Sequence, residues 1–137
     1  MNSIEGIARS LLRLVAGGLF LCHGAMKLFG WFGGMPPGAT LTPLLHVAGW
    51  IEFVGGALIL LGLFTRAAAF VTAGEMAVAY FKAHFPHGFW PIVNKGELAV
   101  LFCFVFLFLL AGGAGPISLD RAIARARGAA RRQLVAG

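Results

Sequence analysis

The sequence predicts an all-α membrane protein, an up-down four-helix bundle with both termini cytoplasmic. Three observations predict it. Of the 137 residues 59% are hydrophobic and 12% charged, with a mean hydropathy of +0.87, far more apolar than a soluble domain of this length. Four apolar runs, each near the roughly twenty residues that a hydrocarbon core requires, alternate with segments rich in Gly and Pro. The basic residues divide unequally between the two sides that this threading creates.

The first span is read at Leu11–Leu28, after a short head, Met1–Ser10. Arg13, Gly17, Phe20, Gly24 and Lys27 follow steps of four and three and so share one helical face. Glycines on that face admit a neighbouring helix, and its charges need something other than lipid to point at. A removable leader would want a small residue where Leu21 precedes Cys22, and His23-Gly24-Ala25 is a weak cleavage site, so the run reads as a retained span.

Phe29–Pro43 breaks the pattern with four glycines and three prolines and reads as a loop, its Phe29, Trp31 and Phe32 suiting a lipid–water interface. The second span, Leu44–Phe64, carries Glu52 beside Gly55 and Gly56. The connection Thr65-Arg66 is so short that the second and third spans should be antiparallel neighbours. The third, Ala67–Phe85, carries Glu75 near its middle, with Ala79 and Lys82 on the same face. Phe85–Asn94 is an aromatic, proline-containing loop. The fourth span, Gly96–Ala114, opens with Glu97 and runs through a phenylalanine-rich stretch. Ser118-Leu119-Asp120 then resembles a cap before a short basic helix, Arg121–Arg132. Residues 1–120 thus form one membrane domain and 121–137 a basic cytoplasmic tail.

Orientation follows from the bases. Arg9, Arg13, Arg66 and the five tail arginines fall on the side of the termini, against Lys27, Lys82 and Lys95 on the other. Basic loops face the cytoplasm. The net charge of +6 is therefore assigned to anionic lipid at the inner surface rather than to nucleic acid. Arg13 reads as one of these inner-side anchors.

On this orientation three bases (Lys27, Lys82, Lys95) meet three acids (Glu52, Glu75, Glu97) in the outer half of the bundle. A charge at the bilayer centre costs at least ~2.5–3.5 kcal/mol, so such groups face one another or a wet cavity. Ion pairs that only knit helices together are one reading; a polar pocket for a small redox-active or anionic molecule is the other. Glu52 is the leading candidate, because it lies deep and Gly55 and Gly56 beside it admit either a backbone or a ligand. Glu75 needs a partner, for which Lys82 is a candidate. His23 suits either proton transfer or packing, Lys27 either the site or the interface, and Glu97 either the pocket or the dipole of its own helix. No metal site is indicated: His84 and His87 flank Phe85-Pro86, which spoils a helical pair. Cys22 and Cys103 lie in apolar runs without a Cys-x-x-Cys spacing.

Arg13-x3-Gly17, His23-Gly24-x2-Lys27, Glu52-x2-Gly55-Gly56, Gly62-Leu63-Phe64-Thr65-Arg66, Gly96-Glu97 and Gly113-x-Gly115-x2-Ser118-Leu119-Asp120 form an ordered set that resembles the DoxX family of small bacterial membrane proteins, from about Leu11 to Asp120. The resemblance implies a multi-pass protein of the inner membrane linked to quinone redox chemistry. The family takes its name from a subunit of a thiosulfate–quinone oxidoreductase. With no haem signature, flavin fingerprint or thiol pair here, it implies a small subunit among other redox subunits, or a homo-oligomer, embedded in membrane lipid. In that role Lys27 or His23 would hydrogen-bond a quinone carbonyl and Glu52 would accept or deliver the proton, with Gly24, Gly55, Gly56, Glu75, Lys82 and Glu97 around the ligand. A non-catalytic assembly partner, or a small carrier or channel using the buried ions, is the alternative.

Overall fold

The computed structural model describes residues 3–136, and among these residues it is all-helical, with six helices and no strand. Met1 and Asn2 of the expected head, and Gly137 of the expected tail, lie outside the described residues. Helix α1 spans Ser3–Phe29, α2 Pro43–Leu61 and α3 Thr65–Ala79; α4 is the single turn Pro91–Asn94, α5 spans Glu97–Gly112 and α6 Leu119–Ala136. Helices α1 and α2 are long and apolar enough to cross a membrane, while α5 is apolar but shorter. Past Ala79 the α3 path continues through a wider π turn, Tyr80–His84.

Several boundaries differ from expectation: α2 ends at Leu61 rather than Phe64, α3 already includes Thr65 and Arg66 and ends at Ala79, and the expected loop holds the turn α4. The head is not a separate segment: α1 begins at Ser3, because nothing between Ser3 and Leu11 breaks a helix and Ser10 returns its hydroxyl to the Gly6 carbonyl at 3.1 Å. The basic helix is longer than Arg121–Arg132, since Leu119 and Asp120 form its first turn and Ser118 accepts from the Arg121 N–H.

Helix α1 lies along α2, α2 against α3, and α3 against α5. Glycines set the first contact. A Cβ on Gly24 would stand 2.6 Å from the Gly49 carbonyl oxygen, and one on Gly56 2.9 Å from that of Gly17, so the two backbones touch. In lipid, where apolar burial gives little drive, such close packing holds helices together. Rings from α1 and α5 fill the centre: Phe20 meets Phe106 edge-on at 4.8 Å and Phe102 at 5.3 Å. The outer surface stays apolar; Phe70, Leu101 and Phe104 are each about two-thirds exposed, a surface suited to acyl chains.

One end of the molecule is tied by polar groups. Helix α2 stops at Gly62, in the left-handed region, with Leu63 N–H returning to the Leu58 carbonyl. Arg13, expected as an interfacial anchor, is instead 1% exposed. Its guanidinium donates to the carbonyls of Ile59 (2.6 Å), Leu60, Ala114 (2.9 Å) and Ile117 (2.5 Å). A helix end leaves carbonyls without intrahelical partners, and Arg13 satisfies those of α2 together with the loop after α5. Asp120 completes the tie, accepting from the Phe64 and Thr65 N–H groups at 2.8 and 3.0 Å and so capping α3 from the start of α6.

Candidate functional site

Helices α2 and α3 touch at Gly55, where a Cβ would lie 2.6 Å from Thr72 Cγ2. One turn beyond this contact, away from the Arg13 end, stand Glu52 on α2 and Glu75 on α3. Beyond them lies a cavity of about 540 Å³, bordered by α1, α2, α3, the π turn and α5. Its walls are mainly apolar, with Phe20, Ile51, Met76 and Phe102 among them, and its ionisable groups are His23, Lys27, Glu52, Glu75, Lys82, His84 and Lys95.

Glu52 is 2% exposed and its Oε1 is ion-paired with Lys27 Nζ across the α1–α2 contact. Lys27 therefore reaches inward rather than out to the interface. Glu52 Oε2 and Glu75 Oε2 are both buried without a hydrogen-bond partner. His23 borders the cavity with its ring edge-on to Phe102 at 6.1 Å. Lys82 is exposed at the rim, and it makes no ion pair with Glu75 although both border the cavity. Lys82 itself lies within the π turn.

The remaining expected residues lie elsewhere. Gly24, Gly55 and Gly56 are at helix contacts, filled by the chain's own backbone and by Thr72, and do not border the cavity. Glu97 is exposed in the first turn of α5, where an acid suits the helix dipole. Cys22 and Cys103 are free and half-buried. Among the described residues no three His, Cys, Asp or Glu side chains gather closely enough to hold a metal ion.

The far end of the cavity is braced by groups that sequence reasoning passed over. Asn94, 6% exposed, donates to the Gly88 carbonyl at 2.7 Å and to the Tyr80 hydroxyl at 3.3 Å, and accepts from the Gly96 N–H at 2.8 Å. Tyr80 in turn donates to the Phe89 carbonyl, and His84 Nδ1 lies 3.1 Å from the Asn94 carbonyl. The aromatic loop is thereby pinned beside His84 and Lys95. The one sequence signal was an Asn inside an otherwise apolar turn.

The protein is 45% identical over 128 residues to an uncharacterized protein of Haemophilus influenzae, covering 88% of this chain and 96% of that one. It is 30% identical over 131 residues to the uncharacterized membrane protein Rv3486 of Mycobacterium tuberculosis, covering 83% of this chain and 80% of that one. No solved structure matches at a significant level. The DoxX family model matches residues 8–85, which include His23, Lys27, Glu52, Glu75 and Lys82, and the chain belongs to the DoxX family of membrane proteins.

Proposed function

We propose that this chain is a four-span, up-down bundle of the bacterial inner membrane, both termini cytoplasmic, serving as a small subunit of a quinone-linked redox system. The quinone head group occupies the cavity. His23 or Lys27 hydrogen-bonds a carbonyl oxygen, and Glu52 accepts or delivers the proton. Glu75 and Lys82 complete the polar wall. Electrons pass to or from other redox subunits, which this chain joins in the lipid; a homo-oligomer is the simpler assembly. The basic α6 rests on anionic lipid at the cytoplasmic face.

The observation that carries the reading is the pairing of an apolar cavity with Glu52, a nearly fully buried acid whose second oxygen is unpartnered. Ligand sites are commonly apolar hollows with a few placed polar groups. The test is mass spectrometry of small molecules co-purifying in mild detergent, with Glu52→Gln prepared alongside. A quinone retained by the wild type and depleted in the variant is the expected result. A wild-type protein that carries none from a quinone-replete membrane would overturn the reading in favour of an assembly role.

A further inference from the structure

Glu52 is ion-paired with Lys27, so it is a carboxylate, and a carboxylate only accepts hydrogen bonds. Its Oε1 is taken by the ammonium; its Oε2 is buried and unpartnered beside the cavity. Glu75, on the facing helix, presents a second buried, unpartnered oxygen. Leaving the Glu52 oxygen without a donor is costly, and a carbonyl placed against it would set lone pairs against lone pairs. A ligand that donates there removes the cost.

The charge around the cavity narrows which donor fits. Three lysines, Lys27, Lys82 and Lys95, border it against two glutamates. That balance disfavours a cationic ammonium, which leaves a neutral O–H as the donor. The rim narrows the rest of the molecule. Leu44 and Val47 on α2 and Val71 and Val78 on α3 border the cavity while remaining about half exposed. The rim formed by these α2 and α3 residues is thus apolar, continuous with the apolar outer surface, and suits a ligand with a hydrocarbon body.

We propose that the cavity selects the hydroxyl-bearing, reduced form of its ligand, a lipophilic hydroquinone, over the corresponding quinone, with one hydroxyl donating to Glu52 Oε2. The inference rests on the quinone-linked reading and narrows it to a redox state. Binding alone is asserted; both forms share the same ring and tail, and only the donor differs.

The test is anaerobic titration calorimetry of the full chain in lipid nanodiscs with three probes: a decyl-substituted benzoquinone, its hydroquinone, and the dimethyl ether of that hydroquinone. The hydroquinone should bind roughly tenfold or more tightly than the quinone, the worth of one hydrogen bond to a charged acceptor. The ether should fall to the level of the quinone, because it keeps the shape and loses the donors. Glu52→Gln should shrink the preference; should that variant fold poorly, the comparison of hydroquinone with its ether on the wild type decides alone. Equal affinity for quinone and hydroquinone, or an ether that binds as tightly as the hydroquinone, would overturn the inference and leave the quinone-linked reading standing. No binding by any probe would overturn both.

Discussion

Lys27 and Glu52 form an ion pair between α1 and α2, one turn from the point where α2 and α3 touch. With Glu52 almost wholly buried, removing one member strands the other's charge. Lys27→Met should lower unfolding stability by about 3–5 kcal/mol, and adding Glu52→Gln to it should recover part of that loss. Thermal unfolding of the two single variants, the double variant and wild type in one detergent measures the cycle. Simple additivity of the two single costs would show that the pair contributes nothing as a pair.

Two glycines on different helices should respond in opposite directions to the same substitution. Gly24 meets the α2 backbone, so Gly24→Ala forces α1 and α2 apart and should cost about 1–3 kcal/mol. Gly74 on α3 has open space where its Cβ would be, and Gly74→Ala should be neutral or gain up to about 1 kcal/mol from helix propensity. The two melting curves, compared with wild type, decide it.

Arg13 serves four main-chain carbonyls through a planar fork that an ammonium does not reproduce. Arg13→Lys keeps the charge and should still cost about 2–4 kcal/mol, because buried carbonyls lose their donors. The expected signature is unfolding at lower temperature with little change in ligand retention, since Arg13 is not among the groups bordering the cavity.

Asp120 caps α3 from 55 residues away. Asp120→Ala should cost roughly 1–3 kcal/mol and speed amide exchange at Phe64 and Thr65, while Asp120→Asn, which keeps one acceptor oxygen, should recover part of the protection. Unchanged exchange at both amides would show that the cap carries no stability.

Much of the cavity was legible because charge in an apolar run has few places to go. His23, Lys27, Glu52, Glu75 and Lys82 were picked out on that ground alone, and all five border it. The glycines were legible as contact points, yet a glycine does not say whether its gap admits a ligand or the chain itself; Gly24, Gly55 and Gly56 admit the chain. Arg13 was misread because its acceptors are main-chain carbonyls, which leave no trace in residue type. Asp120 was read with Ser118 and Leu119 as a cap before the basic helix, and its use as a cap on α3 is visible only once α3 lies beside it. The π turn at Tyr80–His84 was likewise hidden, since nothing in its residues marks where a helix widens.

The tie at the Arg13 end also has a timetable. Its members are far apart in sequence: Ser10 and Arg13 are made first, the turn at Gly62–Thr65 about fifty residues later, and Ala114–Asp120 about fifty after that. When α1 and α2 have emerged from the ribosome, Arg13 can already hold Ile59 and Leu60, but the rest of its guanidinium waits for partners not yet synthesised. The first turn of α3 likewise waits for Asp120. A chain cut short before that residue keeps every apolar run intact and still lacks the closure, so this end of the protein is tied only once the segment Ala114–Asp120 has been made.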